Sequence, residues 1–197
     1  MQKEKKKIRI VCIMGKSGTG KSTVINDLIK LYPELFYAVK SYTTRQPREN
    51  DPEDLKTHEF TDYVKYNVDK VLGSIISLYE SDKGYYSWTT RKSFSEDKIN
   101  LYAIDPIACA DLIKKHSDDY IIVPIYLNLS DEERFERLRK RDLISELPKE
   151  EHLSYKHLVN ADIEFDMIYN GESRLNNAME LLDVITRWLV ILSGIDI

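Results

Sequence analysis

Cysteine is scarce in this sequence. Cys12 and Cys109 are the only two, too few and too far apart for a disulfide framework or a metal site. Their apolar neighbours mark them as small buried hydrophobes. Histidine is scarce too: none of the four has metal-ligand spacing. No apolar stretch approaches the ~20 residues that a bilayer-spanning helix needs. The apolar run behind the N-terminal lysines is too short for a signal peptide. These absences predict a cytoplasmic protein with no membrane partner. There is no excess of positive charge, because the net charge is −4, so a general affinity for nucleic acid is not expected. The lysines of residues 3–7 read as a solvated lead-in to the first strand. Repeats and low-complexity tracts are missing as well.

What remains is an ordinary globular composition, 42% hydrophobic and 31% charged over 197 residues. That length suits one domain with a substantial core, as a monomer or a homodimer. Residues 8–14, IRIVCIM, form a β-branched run with little alternation, as in a strand buried on both faces of a parallel sheet. A helix is predicted over 22–31, a strand over 36–39, a strand over 101–104 and a helix over 107–115. The run 120–127 reads as a strand, although Pro124 inside it predicts a bulge or an irregular edge. Ser130 and Glu133 are spaced as a capping box opening another helix. Residues 165–169 read as a short strand. A stripe from Leu175 to Leu192 marks a long last helix, stopped by Gly194. Strands alternating with helices predict an α/β fold with a mainly parallel sheet. Residues 41–94 break the alternation: they are polar, rich in Tyr and Thr, and read as an insertion, with Gly73 and Gly84 as flexible points.

The segment GKSGTGKS carries the clearest chemistry. Gly15, Gly20, Lys21 and Ser22 satisfy G-x-x-x-x-G-K-[ST] between a buried strand and a helix. Glycines let several backbone N–H groups turn toward one anion, and the helix N-terminus adds partial positive charge. Gly15, Ser17, Gly18, Thr19, Gly20, Lys21, Ser22 and Thr23 are therefore candidates to bind ATP or GTP. Lys21 would reach the β- and γ-phosphates, and the Ser22 hydroxyl would hold Mg²⁺. Lys16 is expected to face solvent. No guanine-reading N-K-x-D tetrapeptide occurs, which argues against a GTPase, and the short chain favours a small-molecule kinase.

A second anion site is suggested by SYTTRQPR. Arg45 and Arg48 flank a proline beside hydroxyl donors. Arginine grips phosphate with two parallel bonds and keeps its charge, so the pair is either a phosphomonoester clamp or a solvated loop. Farther on, Arg134, Arg137 and Arg141 share one face of a helix. They are either a catalytic set or an exposed charged surface, with Arg134 and Arg139 expected at the surface. Asp105 closes a strand just before Pro106, as a ligand contact or a helix cap. Tyr85, Tyr86 and Trp88 are packing or substrate contacts.

Together these segments resemble the guanylate kinase family over about residues 8–190. SYTTRQPRE is similar to that family's S-x-T-T-R-x-P-R segment, and GYYSW, AIDP, RFERLRKRD and FDMIYNG follow in the family's order. The resemblance implies a P-loop NTPase-type three-layer fold: a core over about 8–40, 95–136 and 159–197, a nucleoside-monophosphate-binding insertion over 41–94, and a short lid over 137–158. It implies ATP and Mg²⁺ as cofactors and a small-molecule nucleotide as acceptor, most simply GMP or dGMP. Ser41, Arg45, Arg48 and Tyr86 would hold the acceptor phosphate, and Asp105 would face the base. Arg137 and Arg141 would act with Lys21 on the transferring phosphoryl group, and Asn170 would lie near the donor adenine. The sequence departs from the family where bases are read. Ser77 or a shifted Glu80 stands in place of a glutamate, Ser87-Trp88 in place of Gly-Thr or Gly-Ser, and Ala103 in place of the first acid of D-x-D. His58 falls near a phosphate-binding tyrosine. A kinase for another phosphorylated small molecule, such as a ribose bisphosphate, and a non-catalytic protein-binding module are the alternatives.

Overall fold

The computed structural model describes residues 7–48, 54–140, 164–166 and 173–193. Along the chain run β1 (Ile8–Met14), α1 (Lys21–Leu31), β2 (Phe36–Ala38), β3 (Ser41–Thr43), α2 (Asp54–Thr57), β4 (His58–Phe60), α3 (Tyr63–Val71), β5 (Ile75–Glu80) and β6 (Tyr86–Thr90). A 3-10 turn (Arg91–Ser93) leads to β7 (Ile99–Ala103), α4 (Pro106–His116), β8 (Tyr120–Asn128), α5 (Asp131–Lys140), β9 (Glu164–Asp166) and α6 (Ser173–Ser193). Among the described residues no helix is long and apolar enough to cross a membrane.

Five strands form one parallel sheet in the order β2-β7-β1-β8-β9. β1 lies at its centre and serves two cores. Val11 and Ile13 point into a cluster with Val24, Ile25 and Leu28 of α1 and Ala178, Leu181 and Ile185 of α6. Ile10, Cys12 and Met14 point the other way, onto Ala108, Cys109 and Leu112 of α4. Both faces of β1 are thus covered, which is why its sequence shows no alternation. This is the α/β fold with a parallel sheet that the alternating elements predict, in the three layers that the resemblance implies. Cys12 and Cys109 are both buried. Their mutual hydrogen bond, and then burial, push the Cys12 thiol well above its ordinary pKa.

Pro124 does not produce the expected bulge. Val123, Pro124 and Ile125 pair in unbroken register with Val11, Cys12 and Ile13. On the opposite side of β8 the described pairs with β9 start at Tyr126–Glu164, so among the described residues Pro124 pairs with β1 alone.

Strands from residues 41–90 build a second sheet, β4-β3-β6-β5, in which only β3 and β4 are parallel. The helix packed on it, α3, is inside out. It buries Tyr66 and Asp69 and exposes Val64, Val68 and Val71, with Leu72 exposed just beyond its end; Val71 is exposed to 87%. The sheet supplies the reason. Trp88, wholly buried on β6, donates from Nε1 to Asp69 Oδ2 at 2.9 Å, and Tyr66 stacks flat on Tyr86 with ring centres 4.0 Å apart. Burial pushes the Asp69 carboxyl up, but hydrogen bonds from Lys65, Trp88 and Ser74 outweigh it and leave the pKa lowered. Gly73, after α3, and Gly84, between β5 and β6, adopt left-handed φ of 63° and 78°, where side chains are strained.

Candidate active site

β1 ends at Met14 in the middle of the parallel sheet, so its following loop lies at the carboxyl edge where open α/β sheets gather ligands. Gly15, Gly18 and Gly20 take φ of 146°, 87° and 101°. Two of them are also space-limited. A Cβ on Gly15 would come within 2.8 Å of the Leu127 carbonyl oxygen, and one on Gly18 within 2.8 Å of Arg134 Cγ. Lys21 folds back over the loop, donating to Gly15 O at 2.7 Å and Lys16 O at 3.1 Å. The Thr19 hydroxyl bonds Lys16 O at 2.9 Å. No side chain caps α1 and no acid sits in its first turn. Its leading N–H groups, with Ser22 and Thr23 among them, are therefore suited to an anion. Gly15, Ser17, Gly18, Thr19, Gly20, Lys21, Ser22 and Thr23 thus come together in one strand–loop–helix unit.

α5 packs against the outside of this loop, and here two expectations fail. Arg134, expected at the surface, is 2% exposed. Its NH1 donates to Ser17 O at 3.1 Å, while Nε and NH2 donate to Asp131 Oδ1 at 3.2 and 3.0 Å. Lys16, expected in solvent, donates to the same Asp131 oxygen at 2.9 Å. The Lys16 bond is the main cause that holds the Asp131 carboxyl below the usual range. Arg137 donates to Gly18 O at 3.4 Å and Thr19 O at 3.1 Å. Ser130 and Glu133 interact at the start of α5, as their spacing predicts: the Glu133 N–H donates to the Ser130 hydroxyl, which donates to the Glu133 carboxylate. Arg141 and Asn170 lie outside the described residues.

The second cluster lies on the small sheet. Ser41 and Thr43 are buried on β3, and Arg45 and Arg48 follow. Both arginines gather on Asp54, a residue that sequence reasoning missed. Asp54 is 2% exposed. Arg45 NH1 donates to its Oδ2 at 2.6 Å and NH2 to its Oδ1. The Arg48 N–H donates to Oδ2 at 3.0 Å, and the Arg48 guanidinium lies 3.7 Å away. His58 Nδ1 sits 3.4 Å from Arg45 NH2 and 2.9 Å from the Thr57 hydroxyl. Burial raises the Asp54 carboxyl, but hydrogen bonds from Arg45, His58 and the Arg48 N–H outweigh it and hold the pKa far below the ordinary range. One of the two guanidinium charges is therefore already matched by a fixed anion. No spacing in the sequence points to Asp54, because it lies nine residues beyond Arg45 with no common helix or strand.

Tyr86 is brought beside this segment by the sheet. Its carbonyl accepts from the Thr44 N–H at 3.0 Å and the Thr43 hydroxyl at 3.1 Å. Its own hydroxyl donates to Glu80 at 3.3 Å, and the Glu80 charge raises its pKa. Asp105 follows β7, the strand beside β1, and caps α4 by accepting from the Ile107 N–H at 2.8 Å. At the altered base-reading positions, Ser77 is buried and accepts from the Tyr102 hydroxyl at 3.4 Å. Trp88 is buried against Tyr66 and Tyr42, and the neighbouring Thr89 hydroxyl is buried with no hydrogen-bond partner among the described residues. Among the described residues no cluster of three acidic, His or Cys side chains could hold a metal.

The guanylate kinase family model matches residues 7–187. A solved guanylate kinase from Anaplasma phagocytophilum superposes with a TM-score of 0.63 at 20% identity, over 93% of this chain and 87% of that one. A gluconokinase from Sinorhizobium meliloti 1021 gives a TM-score of 0.44 at 14% identity, over 96% and 99% of the two chains. No curated protein matches the sequence.

Proposed function

The chain belongs to the guanylate kinase family, and from that premise we propose that it transfers the γ-phosphoryl group of ATP to a nucleoside monophosphate, with GMP or dGMP as the leading acceptor. An oxygen of the acceptor phosphate attacks the γ-phosphorus. The bond to the β–γ bridging oxygen breaks, and ADP and a nucleoside diphosphate leave. Such transfer asks the protein for alignment and neutralised charge rather than a nucleophile. The glycine loop and the α1 N-terminus hold the donor phosphates, and Lys21 reaches the β- and γ-oxygens. Arg141, with Arg137 once it leaves the Gly18 and Thr19 carbonyls it holds here, meets charge developing on the transferred group. Ser41, Arg45, Arg48 and Tyr86 hold the acceptor phosphate, and Asp105 borders its base. Magnesium bound with the nucleotide would rest on Ser22 and phosphate oxygens and supply Lewis-acid neutralisation of their charge.

The observation that supports this reading is a loop of three positive-φ glycines leading into an uncapped helix N-terminus with Lys21 folded over it, in a chain that also brings two arginines to one buried carboxylate. Intact Lys21 and Ser22 argue against a purely protein-binding module. The test is turnover of GMP, dGMP, AMP and UMP with ATP and Mg²⁺. Turnover of a purine monophosphate is expected. None at all would reject the reading in favour of a kinase for another phosphorylated small molecule, which the buried Ser77 in place of a base-reading glutamate favours. Loss of Mg²⁺-dependent ATP binding altogether would favour the binding module.

A further inference from the structure

Arg134 poses a physical problem. It occupies a 2% exposed site one helical turn from the equally buried Leu138, and both pack on Gly18. An apolar side chain would fill that site without the cost of taking a guanidinium out of water. The charge is compensated instead by the Asp131 carboxylate, which also accepts from Lys16, while the Ser17 carbonyl of the donor loop takes a further N–H. Arg137, three residues on, holds Gly18 O and Thr19 O. Two successive guanidinium groups on one helix therefore fix the outward carbonyls of three consecutive loop residues.

Peptide geometry gives that arrangement a consequence. No described peptide is cis, and in a trans peptide the carbonyl and the following N–H point opposite ways. Holding Ser17 O and Thr19 O toward α5 turns the Gly18 and Gly20 N–H groups away from it, to the side where a phosphate would lie. The Thr19 N–H closes on Lys16 O at 3.3 Å and braces the turn.

We infer that Arg134, locked by Asp131 and Lys16, is a positioning residue that presets the loop amides for the donor phosphates and ties the loop to the helix α5. The inference rests on the reading of ATP as donor. It acts on donor binding alone, since its contacts lie on the loop and α5 and none reaches the Arg45–Asp54 cluster.

The experiment is ATP titration by calorimetry without acceptor, followed by steady-state kinetics with whichever monophosphate is turned over. Its chains are the full-length wild type, Arg134→Leu, Arg134→Lys and Asp131→Asn. Losing a charge-assisted bond to the loop should raise the ATP Kd about tenfold in Arg134→Leu. Asp131→Asn should raise it about threefold, and Arg134→Lys should lie in between, because a single ammonium cannot fork to both Ser17 O and Asp131. The acceptor KM should stay within about twofold. A donor-only effect of this kind is not produced by general loss of stability. If Arg134→Leu does not fold, the other two variants decide, since the Asp131 side chain is 53% exposed. ATP affinities within about twofold of wild type, or donor and acceptor constants rising together, would overturn the inference. Failure of the wild type to bind ATP would instead sink the kinase reading, and this inference with it.

Discussion

Replacing Asp54 by asparagine tests the acceptor cluster most severely. The carboxylate is 2% exposed, and the Arg45 side chain that forks onto it is 11% exposed. Removing one partner of such a pair costs about 3–5 kcal/mol, because the remaining charge stays out of water. Asparagine keeps the shape and can still accept from the Arg48 N–H, which returns about 1 kcal/mol. A net loss of about 2–4 kcal/mol is therefore expected, read from urea unfolding midpoints at constant m. A double-mutant cycle with Arg45→Met adds a sharper readout. If the pair is mutual, the double variant should be at least about 1 kcal/mol more stable than the two single losses added together. The sign with pH follows from the depressed Asp54 pKa. Its contribution is complete above the unfolded carboxylate value of about 3.9 and is lost progressively as pH falls below it. The gap between wild type and Asp54→Asn should be flat from about pH 5 to 8 and shrink below about pH 4. A variant within about 0.5 kcal/mol of wild type, or an additive cycle, would refute the reasoning.

Lys21→Met should fold normally yet lose about 10²- to 10³-fold in turnover, as when one charge-stabilising donor is removed; coupled-assay rates check this. Gly18→Ala meets both a left-handed φ and Arg134 Cγ at 2.8 Å, whereas Gly84→Ala meets nothing within 4 Å. Thermal melts should show the first clearly worse than the second, which carries only the backbone cost of about 1 kcal/mol. Trp88→Phe strips Asp69 of its indole donor and should destabilise by about 1–2 kcal/mol in the same melts. Burial pushes the Tyr102 hydroxyl up to about 12. Its contribution to stability is present below the ordinary tyrosine value of about 10 and is lost as pH rises through that window. Ultraviolet titration between those values should count the same number of ionising phenols in wild type and in Tyr102→Phe.

The parallel core was legible because its signals are local. β1 reads as a covered strand from seven consecutive residues, and the glycine loop and α1 follow from spacing alone. The second sheet was legible only as a change of composition. Its helix α3 breaks the rule that helices bury their apolar stripe, since Trp88, nineteen residues beyond Asp69, decides which face turns inward. The burial of Arg134 was within reach: it lies one helical turn before the apolar Leu138, and residues so spaced share a helix face. Lys16 and Asp131 meet across 115 positions of chain, and Asp54 gathers arginines from a separate segment. Contacts of that kind follow from the fold rather than from any window of sequence. At Pro124 only the bulge half of the expectation fails, since β8 keeps an unbroken register with β1 through that residue.

The central claim is that donor and acceptor phosphates are held by separate groups, the loop amides with Lys21 on one side and the arginines after β3 on the other. Arg48→Ala addresses it most directly, since that side chain is 37% exposed and its loss should leave the fold intact. With ATP and the preferred monophosphate varied in turn, the account predicts an acceptor KM raised about tenfold or more and an ATP KM unchanged. An unchanged acceptor KM, or an equal rise in both, would contradict it.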